Sequence, residues 1–186
     1  MIAFLYRNYM MSRISVVEKN EASEDVKEIL TEIEGAFGMV PNLFKTYSHF
    51  PPLLKANWDK VKALMMQGKL SRKTKEAIAV LVSKDNSCSY CVAAHTAALK
   101  SIGVTEEEIE IIENNIEEAE FTEKERALIT FARKANKDPN KITDEEFAIL
   151  RKAGARDSEI VEALGVMELF ASFNKFLDSL NVEVDF

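Results

Sequence analysis

The chain has 186 residues, of which 47% are hydrophobic and 30% charged, with six glycines and four prolines. That length and apolar fraction suit one globular domain and exclude a disordered chain. The formal charge of −7, with no cluster of Lys and Arg, excludes a phosphate-binding footprint and so a nucleic-acid partner.

Met1 to Met11 carries Ile2, Phe4, Leu5, Tyr6 and Tyr9 around Arg7. It has neither a basic start nor a small-residue cleavage site, so it is not read as a signal sequence. Residues 1–11 are read instead as a start-site extension, with Met10 or Met11 as the native start. No apolar run approaches the roughly 20 residues of a membrane span, and the protein is read as cytoplasmic.

Helical spacing then dominates. Val26, Ile29, Leu30, Ile33 and Phe37 form one stripe, preceded by Ser23 as a cap and stopped near Gly38. Pro41 and Pro51-Pro52 each suit the first turn of a helix. The second of these helices carries Leu53, Leu54, Trp58, Val61, Leu64 and Met65 and ends at Gly68. Met65, Met66 and the phenylalanines are assigned to the core. Thr105 with Glu108, Thr122 with Glu125 and Thr143 with Glu146 match capping boxes. Gly103 and Gly154 suit left-handed C-terminal caps. Val182-Glu183-Val184 is too short to change the class. The fold expected is all-α, a single domain over 1–186.

A shift of 51 positions superimposes two segments without a gap, 70–112 on 121–163. Leu70-Ser71 falls on Phe121-Thr122, Lys73 on Lys124, Gly103 on Gly154, and Glu108-Ile109 on Glu159-Ile160. Two helical hairpins of one design bury their apolar faces against each other. The reactive side chains are not repeated: Glu76 falls on Ala127, Cys88 on Pro139, Cys91 on Ile142 and His95 on Glu146. The first segment is thus the active half-repeat and the second its degenerate copy.

The chain's two cysteines, Cys88 and Cys91, frame Ser89 and Tyr90. Thiols three apart cannot staple a long loop; in a reducing compartment such a pair is redox-active or binds metal. Asn86 and Ser87 suit an N-cap, which puts Cys88 in the first turn of a helix, with Cys91, His95, Leu99 and Ile102 on its inward face. Helix electrostatics favours a thiolate there, and on Cys88 first. His95 lies one turn beyond Cys91 and can accept or relay a proton. Glu76, in a strongly apolar run, is expected to have a raised pKa and to act as a proton acceptor. Cys88, Cys91, His95 and Glu76 also supply ligand types that zinc accepts. A zinc-stabilised interaction module is therefore one alternative, and a disulfide reductase or redox sensor another.

The pattern of Glu76, twelve residues before Cys88-Ser89-Tyr90-Cys91, and His95, four after it, resembles the alkylhydroperoxidase D / carboxymuconolactone decarboxylase family, in its peroxidase-related branch. Pro41-Asn42-Leu43-Phe44, Ser71-Arg72-Lys73 and Phe173-Asn174-Lys175-Phe176 fit as well. The resemblance implies a homo-oligomer, trimer or hexamer, that reduces hydrogen peroxide or organic hydroperoxides. It implies that Cys91 attacks the peroxide and Cys88 resolves the sulfenic acid. A thioredoxin-like protein or a dithiol then restores both. Glu76 and His95 map onto the proton relay. Tyr90 stands where well-characterised members have His, and tyrosine is a poor base at neutral pH. The decarboxylase branch lacks the cysteine pair. The reading requires no cofactor and no resident metal.

Overall fold

The computed structural model describes residues 12–185, and the segment read as a start-site extension lies outside them. Nine α-helices and no strand occur among the described residues. They are α1 (Glu24–Phe37), α2 (Asn42–Tyr47), α3 (Pro51–Val61), α4 (Arg72–Asp85), α5 (Ser89–Ser101), α6 (Glu106–Asn114), α7 (Glu123–Lys137), α8 (Asp144–Lys152) and α9 (Asp157–Leu180). None is long and apolar enough to cross a membrane.

The bundle is built around α4. Every residue from Thr74 to Ser83 is buried, so this helix is covered on all sides. Its neighbours are α5, α6, α7 and α9. The long α9 runs past both α4 and α7 and closes the core with Val166, Leu169, Phe170, Phe173 and Leu177. The first three helices cover one side, where Phe37, Phe44 and Trp58 pack with ring centroids 5.7–6.2 Å apart. Trp58 donates its indole N–H to Glu32 at 2.8 Å.

The duplicated hairpins are visible in the helix order. Positions 51 residues beyond the starts of α4 and α6 open α7 and α9. Lys73 pairs with Glu108 at 2.8 Å, and Lys124 with Glu159 at 2.7 Å. Gly103 and Gly154, with φ of +86° and +83°, turn the chain after α5 and α8 in a conformation that a β-carbon disfavours.

Several local expectations need correction. The box at Thr105 is half formed: its hydroxyl accepts from the Glu108 N–H, but the Glu108 carboxylate goes to Lys73 and the Glu120 N–H instead. The ion pair outbids the cap. Thr122/Glu125 and Thr143/Glu146 form both halves. Ser23 sits at an N-cap without a side-chain hydrogen bond. The third helix gives way to a π-helical turn, Lys62–Met66, rather than running on to Gly68. Leu53, Met66, Phe37, Phe50 and Phe147 are exposed rather than core.

Candidate active site

The turn from α4 to α5 sets the cysteine pair. Ser87 adopts φ +63°, a left-handed value unusual for a residue with a side chain, and the Cys88 N–H returns to the Ser83 carbonyl at 2.9 Å. Cys88 is therefore the N-cap of α5 and not a first-turn residue. The helix ends at Ser101, so Ile102 escapes the inward face and is 42% exposed. Both thiols are free and buried, Cys88 at 0% and Cys91 at 3% exposure.

Glu76, Cys91, His95 and Tyr90 all line one cavity of about 410 Å³, and Cys88 is not among the residues that line it. The walls are mostly apolar, with Phe44, Phe170 and Phe173 among them. The His95 ring meets Phe170 edge-on, centroids 4.2 Å apart. Glu76, 1% exposed through its side chain, takes His95 Nδ1 at 2.6 Å on one oxygen and Arg72 Nε at 2.5 Å on the other. Burial pushes its carboxyl up, but His95 and Arg72 outweigh that and hold it below the ordinary value. The raised pKa expected for an apolar helix is overturned, because His95, and then Arg72 one turn earlier on the same face, favour the ionised carboxylate.

The two thiols, three residues apart, affect each other's protonation in opposite senses. The neighbouring Cys91 lowers Cys88, while Cys88 and burial raise Cys91. Tyr90 donates its hydroxyl to Asp185 at 2.8 Å and accepts the Leu43 N–H at 3.4 Å, and burial pushes its phenol up. Asp185 also accepts the Asn42 N–H at 2.7 Å, so Tyr90 ties the C-terminal tail to the start of α2. His49 lies away from this cavity and bonds the Ser15 carbonyl. Among the described residues no group of three or more His, Cys, Asp or Glu side chains is arranged to hold a metal ion.

A second cavity, about 310 Å³, is lined by Glu123, Ala127, Glu146 and Ile149. These stand 51 positions beyond Arg72, Glu76, His95 and Ala98 of the first. The counterpart keeps the space but none of the reactive groups.

Fold and site together define an all-α protein of duplicated helical hairpins with a buried CxxC pair beside a Glu–His pair. Residues 51–134 match the carboxymuconolactone decarboxylase family. An alkyl hydroperoxide reductase of Mycobacterium tuberculosis is 31% identical over 96 residues, which span 52% of this chain and 28% of that protein. The alkylhydroperoxidase AhpD core of a peroxidase-related protein from Ralstonia eutropha superimposes with a TM-score of 0.84 at 27% identity, covering 94% of this chain and 93% of that one. A peroxidase-related protein from Silicibacter has the same fold, with a TM-score of 0.85 at 24% identity over 97% and 95% of the two chains. Over residues 51–134 the chain is thus similar to the carboxymuconolactone decarboxylase family, and its fold is that of the alkylhydroperoxidase AhpD core.

Proposed function

We propose that the protein is a thiol peroxidase that reduces hydroperoxides through Cys91 and Cys88. One observation carries the reading: Cys91, Glu76 and His95 border a single apolar cavity, with the second thiol three residues before the first. Its volume accepts an organic hydroperoxide as readily as hydrogen peroxide.

In the first step His95 takes the proton of Cys91, and the Cys91 thiolate attacks the outer peroxide oxygen. The O–O bond breaks, the sulfur is oxidised to sulfenic acid, and the departing alkoxide leaves as the alcohol with the proton His95 held. Glu76, ionised between Arg72 and His95, fixes the imidazole with Nδ1 toward the carboxylate. In the second step Cys88, as thiolate, attacks the Cys91 sulfur. A disulfide forms and hydroxide departs, taking a proton to become water. A dithiol or thioredoxin-like protein is then oxidised to its own disulfide and returns both thiols.

Tyr90 acts in this scheme by holding the tail and the cavity wall, and the proton path runs through Glu76 and His95. The protein works as a homo-oligomer in the cytoplasm. Exposed Phe50, Leu53, Ile149 and Val161 are apolar surface that association would cover. Peroxide consumption in dithiothreitol tests the reading. Catalytic turnover lost in both Cys91→Ser and Cys88→Ser supports it. One oxidation per chain without turnover would favour a redox sensor, and turnover surviving Cys91→Ser would refute it.

A further inference from the structure

The wall of the cavity holds few polar groups, and most of them are already hydrogen-bonded within the protein. Tyr90 is committed to Asp185 and Leu43, and Ser101 donates its hydroxyl to the Ala98 carbonyl at 2.7 Å. Glu76, the only acidic residue of the wall, receives His95 on one oxygen and Arg72 on the other. Besides the Cys91 thiol, two groups on the wall keep donors or acceptors that meet no described residue. They are His95 Nε2 and the terminal nitrogens of Arg72.

Arg72 meets Glu76 through Nε alone, which leaves the Nη1 and Nη2 end of its guanidinium for another partner. That end is a planar fork of N–H donors whose spacing matches the two oxygens of a carboxylate. The side chain lines the cavity and is still 42% exposed, so the guanidinium stands at the rim, while Cys91 lies deeper at 3% exposure.

The scaffold does not call for a cation here. Arg72 opens α4, and a positive charge in the first turn opposes the helix macrodipole. By contrast α6, α7, α8 and α9 all carry acidic residues in their first turns. The second cavity has Glu123 at the place of Arg72, 51 positions on, so the same architecture is built with the opposite charge.

We propose that the cavity takes hydroperoxides bearing a carboxylate: the Arg72 fork holds the acid group at the rim, the apolar body lies along Phe44, Phe170 and Phe173, and the peroxide reaches Cys91 and His95. The substrate class rests on the peroxidase reading; the acid-binding rim does not. A hydroperoxy acid enters, its outer peroxide oxygen passes to the Cys91 sulfur, and the corresponding hydroxy acid leaves with its carboxylate unchanged. Neutral hydroperoxides lack only the anchoring contact, a difference that falls on KM.

The test compares octanoate with octanamide as protectants of Cys91 against iodoacetamide, in the full chain carrying Cys88→Ser. The two ligands share a chain length and a planar end group and differ in charge. Octanoate should half-protect at a concentration about tenfold lower, the effect of a charge-assisted pair at a partly exposed site. Arg72→Gln should abolish that advantage, and Arg72→Lys, a point charge without the fork, should keep about threefold of it. Each ratio is taken within one variant, so a change in Cys91 reactivity caused by a disturbed Glu76 or His95 cancels. Equal protection by the two ligands with Arg72 in place, or an advantage that survives Arg72→Gln, overturns the proposal. If Arg72→Gln does not fold, Arg72→Lys decides it, and an undiminished advantage there overturns it. A second arm measures dithiothreitol-driven turnover of linoleic acid hydroperoxide and its methyl ester with both cysteines present, and the acid should have the lower KM. Turnover with equal KM would overturn the substrate class and leave the peroxidase reading standing. Octanoate preference without turnover would keep the acid-binding rim and discard the peroxidase reading.

Discussion

Replacing Glu76 by glutamine removes one charge from the most enclosed ionic contact of the site and keeps the side chain's shape. The carboxylate accepts from His95 Nδ1 at 2.6 Å and from Arg72 Nε at 2.5 Å. An amide can accept from only one of them through its single oxygen, and its NH2 must face the other. A charge-assisted hydrogen bond of about 1.5–3 kcal/mol is lost, partly offset because no carboxylate has to be buried. A net loss of about 2 kcal/mol at pH 7 lowers Tm by about 4–8 °C for a chain of this size. The pH dependence has a definite sign. The Glu76 carboxyl lies below its ordinary value of 4.5 in the folded protein, so its contribution is fully present above that value. It is lost as pH falls through the folded pKa. Thermal unfolding followed by circular dichroism should therefore separate wild type from Glu76→Gln at pH 7 and bring them together in increasingly acid solution. Equal Tm at pH 7, or a gap that persists when pH falls well below 4.5, would refute the reasoning.

Tyr90→Phe removes the hydroxyl between Asp185 and Leu43. It should cost about 1 kcal/mol, speed amide exchange across Val182–Asp185, and leave the Cys91 alkylation midpoint where it was. Ile142→Ala, in the degenerate half-repeat, should cost about 1–2 kcal/mol in chemical denaturation and leave the rate of peroxide reaction within about twofold. Light scattering across micromolar concentrations should give a mass above that of one chain, and a sharp monomer mass would contradict the homo-oligomer.

Helix starts and the two glycine turns could be read in the sequence because their causes are local. Thr122 and Glu125 are three residues apart, and Gly154 needs only its own φ. The cavity's Glu76 and His95 come from successive helices joined by a short turn, so their meeting could be anticipated. Ile102 could not be placed, since periodicity carries no mark of where α5 stops. The position of Cys88 depended on the left-handed Ser87, a conformation for which no glycine or asparagine gave warning. The spacing of four between Arg72 and Glu76 is legible in the sequence, but the larger pull on the carboxyl comes from His95 on the next helix. The contact of Asn174 with Ser83 spans 91 residues and leaves no local signal. Beyond the half-repeat 121–163 expected to be scaffold, the later turns of α9 supply Phe170 and Phe173 to the cavity.

The most direct test of the account asks which sulfur meets peroxide first. The Cys88→Ser and Cys91→Ser proteins are each given one equivalent of a hydroperoxide and then a dimedone-type reagent, and the adduct is located by mass spectrometry. Cys91 borders the cavity with Glu76 and His95, so Cys88→Ser should carry the adduct on Cys91 and Cys91→Ser should remain almost unlabelled. An adduct on Cys88 in Cys91→Ser, formed as fast as the wild-type protein is oxidised, would contradict the account.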